Sequence, residues 1–318
     1  MRKKTCFFIF LLLAALLAGC GNAQRRSAVV PVKQQFISMA SGGAADMPLR
    51  FSGVLADILN RDIPGMNVSV ESTEGSAAGI ALLAGGKADL AIAQSDVAHY
   101  AVNGTEMFQG GKVGILRGIC ALYPVTLHIA ALERSGIKKA GDIRGRRVAA
   151  VTDAGVAALD VLAACGVPEK SVKMQYLDYN GAVKALTEGK ADVMFFNAAC
   201  PSALLKETAL KERIVFIPLD DGEISGLLNK HPFYKRQVIP AGTYAAQTRP
   251  VTALSVVSVL LASDRISDEM GYKIVKAMYG DLQKLRGVHP AANGISKANA
   301  FAGVAAPFNA GAEKFLKE

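Results

Sequence analysis

Small hydroxyl, amide and glycine residues gather where several apolar runs end. Ser41-Gly42-Gly43 follows one run, Thr73-Glu74-Gly75-Ser76 a second, and Gln94-Ser95-Asp96 a third. Further along, Thr152-Asp153 and Asn197 hold corresponding places. Such residues let a backbone approach a small polar solute and offer it N–H and O–H donors. Ser41, Thr73 and Ser95 suit helix N-caps equally well, and a hydroxyl can serve both roles. Asp96 and Asp57 read as solvated acids near helix starts.

Catalytic signatures are missing from the sequence. It has no G-x-S-x-G elbow, no H-E-x-x-H, no G-x-G-x-x-G and no Walker phosphate loop, since Gly86-Lys87 is followed by Ala88. His99, His128, His231 and His289 lack metal-ligand spacing, so no metal and no cofactor is expected. The basic stretch Lys138-Lys139 with Arg144, Arg146 and Arg147 lacks the interleaved aromatics of a single-strand binder, so no nucleic-acid partner is expected. The balance of residues points to binding a small solute.

Elements that would position these loops are visible in the apolar pattern. Phe36 to Ala40 reads as a strand, Leu49 to Asn60 as a helix, Val68 to Val70 as a strand, Ala77 to Leu83 as a helix and Leu90 to Ala93 as a strand. The same order returns over Arg147 to Val151, Ala157 to Ala164, Lys173 to Leu177, Gly181 to Leu186 and Val193 to Phe196. A phrase is shared between the copies. Leu83-Ala84-Gly85-Gly86-Lys87-Ala88-Asp89 and Leu186-Thr187-Glu188-Gly189-Lys190-Ala191-Asp192 both end a helix at a glycine and open a buried strand with Ala-Asp. The spacing predicts two α/β lobes, each a mostly parallel sheet with flanking helices. The apolar run Val251 to Ala262 and the helices Asp268 to Tyr279 and Ala310 to Leu316 then complete lobe one. Lobe one is residues 34–132 plus 251–318, and lobe two is 133–250. The chain crosses twice, near Leu132 and near Pro250, which makes a hinge. In open parallel sheets ligands bind at the carboxyl ends of strands, so the polar loops converge on the cleft between the lobes.

With 318 residues, 51% hydrophobic and 20% charged, the chain can bury a sizeable core, which excludes disorder and fibrous repeats. Its net charge is +9, of which Arg2, Lys3 and Lys4 sit in a basic start to an apolar stretch, Phe7 to Ala18. That pattern predicts a signal peptide over residues 1–19. Leu17-Ala18-Gly19-Cys20 resembles a bacterial lipobox, which implies acylation of Cys20 and a lipid-anchored tether over residues 20–33. Gly21 is not the Asp that typically retains lipoproteins in an inner membrane. Val251 to Ser263 is too short and too interrupted by Thr252, Ser255 and Ser258 to span a bilayer. The expected place is therefore periplasmic or at the cell surface, with membrane contact through the N-terminal lipid. Cys120, Cys165 and Cys200 have no metal-like spacing and read as small core residues.

Taken together in order, several stretches resemble the TAXI-type solute receptors of tripartite ATP-independent periplasmic (TRAP) transporters. They are Gly85 to Gly104, Leu122-Tyr123-Pro124 with His128, Ser135 to Val148, His231 to Tyr244, His289-Pro290-Ala291-Ala292, and Pro307 to Ala312. The resemblance implies a type II periplasmic-binding-protein fold. It also implies a non-enzymatic receptor that closes like a flytrap on a small carboxylate or amino acid and hands it to a TRAP-type membrane permease. A monomer is the expected state. An enzyme on the same scaffold and a solute-sensing lipoprotein without a permease are the competing readings. The resemblance adds Pro201, beside Asn197, to the expected contacts.

Departures from the family pattern fall in the pocket. Ala44-Ala45-Asp46-Met47-Pro48-Leu49 stands where two tyrosines are usual, so both aromatic walls are expected to be missing. Thr73-Glu74-Gly75-Ser76 carries a Glu in place of a Gly, and Thr152-Asp153-Ala154-Gly155 is shorter than the usual loop. Asp46, Glu74 and Asp153 would bring up to three acids to the cleft, which would disfavour simple dicarboxylates and favour a solute carrying an amine or one of larger size.

Overall fold

The computed structural model describes residues 34–41 and 46–318, with only the backbone of Asp46. The signal peptide, the tether and Cys20 lie outside the described residues, as do Gly42 and Gly43. No helix among the described residues is long and apolar enough to cross a membrane.

The first half of the architecture runs β1 (Gln35–Ser41), α1 (Asp46–Asp62), β2 (Met66–Ser72), α2 (Ser76–Ala84), β3 (Leu90–Gln94) and α3 (Ser95–Asn103). β1 lies between β2 and β3, parallel to both, with Met39 opposite Val70 and Leu90. Every residue of β3 is buried, as a central strand covered on both faces requires. A second unit repeats the pattern: β5 (Arg147–Val151), α4 (Gly155–Ala164), β6 (Lys173–Leu177), α5 (Tyr179–Thr187), β7 (Val193–Ala198) and α6 (Ala203–Lys211). Here β5 is central and parallel to β6 and β7. Phe195 and Phe196 are fully buried on the two faces of β7, and truncating either to alanine should cost about 3–5 kcal/mol.

Two long strands join these units. β4 (Leu116–Leu132) is buried at every position but Arg117 and Pro124, which is why its sequence shows no alternation. Through Thr126 it pairs with β10 (Val251–Ser263); from Thr126 onward it pairs with β7, and its last three residues also pair with β8 (Ile214–Phe216). β10 pairs with β9 (Lys235–Ile239) over its first five residues, and from Ser258 to Ala262 with β3. The exchange of partners therefore falls inside two continuous strands, around Thr126 and Ser255, and not at their ends. The sheet order is β2-β1-β3-β10-β4-β7-β5-β6, parallel within each unit and antiparallel along the joining strands. α7 (Asp221–Lys230), α8 (Asp268–Gly280), α9 (Leu282–Arg286) and α10 (Ala310–Lys317) cover the remaining surface.

The shared phrase has a shared geometry. Gly86 and Gly189 take φ of 71° and 70°, the left-handed turn that glycine enters without steric cost. Asp89 N–H donates to Ser38 O and its carboxylate accepts from Ser38 N; Asp192 makes the same pair with Arg147 O and N. Each Asp thus locks the start of one strand to its parallel neighbour, at the middle of β1 in one case and at the start of β5 in the other. Cys120, Cys165 and Cys200 are free thiols.

Candidate functional site

A cavity of about 120 Å³ lies where the carboxyl ends of β3 and β5 face one another. Of the residues singled out by sequence, Ser76, Gln94, Asp153, Asn197 and Pro201 line it. The first four are joined by a closed set of hydrogen bonds. Gly75 precedes α2 with φ 142° and contributes no side-chain cap, so the backbone N–H of Ser76 is left for an outside acceptor. That acceptor is Asp153, which sits in a single helical turn (Thr152–Ala154) after β5.

Ser76 N donates to Asp153 Oδ1 and Oδ2 at 3.0 Å each, and Ser76 Oγ donates to Oδ2 at 3.0 Å. Gln94 Nε2 donates to the same oxygen at 3.2 Å. The amide of Asn197 donates to Gln94 Oε1 at 2.9 Å and to Asp153 O at 3.1 Å, while Gln94 N donates to Ser76 Oγ at 3.0 Å. Burial holds the Asp153 carboxyl above its ordinary range, opposed by the donors from Ser76 and Gln94. A β-carbon at Gly75 would stand 2.4 Å from Asp153 Oδ1, so glycine is needed for the carboxylate to approach.

The other expected contacts are placed differently. Thr73, Glu74 and Thr152 line an outer groove of about 520 Å³ beside the cavity, and Glu74 is exposed there. Thr73 Oγ1 donates to Ser41 O at 2.8 Å, closing the β1 and β2 ends. Ser41 is fully buried, and its own hydroxyl has no partner among the described residues. Ser95 is turned into the sheet, where its Oγ accepts Val257 N–H at 3.1 Å, so it ties α3 to β10 and stays off the cavity wall. Asp96 corrects an expectation: it is buried, not solvated, and its carboxyl is pushed up to about 7, chiefly by desolvation.

Sequence reasoning missed Tyr123, Tyr179, Ser258 and Arg50 on the lining. The two tyrosines give the cavity aromatic surface from β4 and from the start of α5, elements other than the stretch 44–49. Tyr179 follows the strand Lys173 to Leu177, whose carboxyl end the strand-end rule covers as well, so that rule would have found it. In the sequence Ser258 reads only as a polar break in an apolar run. Tyr123 is 1% exposed, and its hydroxyl has no partner among the described residues. Burial raises both phenols, and the nearby charge of Asp153 adds to the effect at Tyr179, so both are neutral donors. His289 donates from Nε2 to Pro201 O at 2.9 Å, fastening the far wall. His128 is buried between Tyr244 and the carbonyls of Thr126 and Phe196, lowered to about 4 by desolvation, and structural. Among the described residues no cluster of His, Cys, Asp and Glu is arranged to hold a metal.

Residues 39–318 match the NMT1-like family. Among solved structures, the putative L-cystine ABC transporter from Listeria monocytogenes is similar over 82% of this chain and 97% of that one, at 11% identity and a TM-score of 0.52. The periplasmic aliphatic sulphonate binding protein SsuA from Escherichia coli covers 80% and is itself covered to 78%, at 16% identity and 0.49. The alkanesulfonate-binding protein SsuA from Xanthomonas axonopodis pv. citri, bound to MOPS, gives 90% and 84%, at 16% identity and 0.48. At these identities the likeness is one of fold, and the fold is that of type II periplasmic binding proteins.

Proposed function

The chain belongs to the NMT1-like family, and on that premise we propose that it is an extracytoplasmic solute-binding receptor, a binding protein and not an enzyme. Its two lobes, residues 34–132 with 251–318 and residues 133–250, close on a small amino-acid-like solute and present it to a membrane permease of the TRAP type. The chain is held to its membrane by an acyl group on Cys20.

One observation carries this reading: a cavity whose wall is drawn from both units, with hydrogen bonds running between them across Asp153, Ser76, Gln94 and Asn197. A site divided between two units gains contacts only when they meet, which is the differential affinity that lets a solute shift a hinge. The joining strands β4 and β10 are the two connections such a hinge uses. The polar part of the lining is phenol, hydroxyl, amide and the His289 imidazole around one acid, with Arg50 at the rim; the larger part is apolar, from residues such as Met47, Ile92, Val125 and Val288, and no nucleophile on it is paired with a base. This chemistry suits recognition of an amine-bearing or amino-acid-like solute better than that of a simple dicarboxylate, which would meet Asp153 as a like charge.

A dye-based thermal shift against amino acids, polyamines, dicarboxylates and alkanesulfonates tests the proposal. A solute at a hundred times its Kd stabilises the folded state by about 2.7 kcal/mol. A saturable rise with an amino-acid-like solute, abolished in Asn197→Leu, is expected. Turnover of the bound compound would overturn the reading in favour of an enzyme on this scaffold.

A further inference from the structure

The carboxylate of Asp153 occupies a position built for an anion. The cradle around it belongs to the opposite unit: the first N–H of α2, the Ser76 hydroxyl, the Gln94 amide, and the bare backbone of Gly75 that admits a carboxylate at van der Waals range. A helix N-terminus with its N–H groups unspent favours negative charge. The corresponding helix of the second unit, α5, has no such vacancy, because Asp178 caps it from its own chain by accepting Gly181 N–H. A second feature of the cavity points to a ligand. The Tyr123 side chain, almost wholly buried, lines the same space, and its hydroxyl has no partner among the described residues.

We propose that Asp153 is a tethered anion that fills the anion cradle of the opposite unit and so sets the selectivity of the site, excluding a solute carboxylate or sulfonate from the α2 N-terminus. The Tyr123 and Tyr179 hydroxyls then form the part of the cavity left to the solute. This deepens the receptor reading and rests on it only for the consequence for solute choice; the cradle itself is testable without knowing the solute. Exclusion operates by geometry and charge together. A second carboxylate would have to displace Asp153 from three donors, or stand beside it in a partly desolvated site.

Asp153→Ala removes a group the size of formate and leaves the cradle intact. The purified protein is compared with this variant in thermal unfolding against sodium formate, with sodium chloride at equal ionic strength as control. The variant is expected to melt several degrees lower and to be restored by formate along a saturating curve, while chloride does nothing and the unaltered protein responds to the two salts alike. Equal responses to formate and chloride in a folded variant would overturn the proposal, as would a formate response of the same size in the unaltered protein. If Asp153→Ala does not fold, Asp153→Ser vacates the same oxygens with a side chain suited to a helical turn, and the same two outcomes decide. A receptor reading that failed, with no solute shifting the unaltered protein, would leave the formate result standing by itself, so the two failures are distinguishable.

Discussion

Helices α2 and α5 occupy equivalent places in two copies of one β-α-β-α-β pattern, yet their N-termini are satisfied in opposite ways. α5 is closed by its own Asp178, whose Oδ1 accepts Gly181 N–H at 2.6 Å. α2 follows Gly75 and is closed from the other unit, by Asp153 at 3.0 Å. The opposite ends of these helices are alike, since Gly86 and Gly189 turn the chain in the same left-handed conformation and Asp89 and Asp192 pin the following strands in the same manner. Scaffold is thus conserved between the copies at one edge of the sheet, and divergence is concentrated at the edge that carries the cavity. A self-capped helix gains stability whatever the rest of the molecule does. One capped by the opposite unit gains it only when the units meet.

Gly75→Ala should break the contrast most severely. Its β-carbon would stand 2.4 Å from Asp153 Oδ1 at a φ of 142°, so strain and expulsion of the carboxylate combine. A loss of about 3 kcal/mol is expected in urea unfolding. In an Asp153→Ala background the same substitution should cost clearly less, because the clash has gone; equal costs in both backgrounds would mean that Gly75 serves only its own turn.

Asp153→Ala alone is expected to cost about 2 kcal/mol, since it leaves Ser76 N–H and the Gln94 amide without their charged acceptor. Asp178→Ala loses an ordinary N-cap, worth about 1 kcal/mol, and its melting should show no response to formate.

The smallest effect is a slope with pH. Burial raises the folded-state pKa of Asp153 above its unfolded value, so the folded protein binds the proton more tightly. Stability from this source is complete below the unfolded pKa and is lost as pH rises through the folded one. Asp153→Asn removes that proton uptake. Urea titrations from about pH 4 to about pH 8, the range of carboxyl and histidine titration, should show the unaltered protein losing stability relative to the variant as pH rises. Parallel profiles would remove this acid from the account.

Much of the scaffold is legible in the residue pattern, for a physical reason. Strand Arg147–Val151 coincides with its apolar run because a central strand covered on both faces must be apolar on both, whereas Lys173–Leu177, an edge strand with no buried position, is marked by its place in the repeated element order. The turns at Gly86 and Gly189 are equally legible, because the left-handed conformation narrows the choice of residue. β4 escaped because a strand buried nearly throughout has no period to read, and its change of partners at Thr126 leaves no mark on its composition. The polar loops were found as a group, but their division was not. Ser95 turned inward to Val257, Glu74 faced the outer groove, and Asp153 reached across to Ser76, and each outcome depends on how two units approach in space. Local residue types cannot encode that approach. Asp96 shows the same limit, since a helix-start acid is solvated unless another element covers it.

The most direct test is a crystal structure of the Asp153→Ala variant grown in formate. The account predicts formate seated where the carboxylate was, accepting from Ser76 N, Ser76 Oγ and Gln94 Nε2. Water at those donors in the presence of saturating formate would contradict the claim that the N-terminus of α2 is an anion cradle filled by the chain itself.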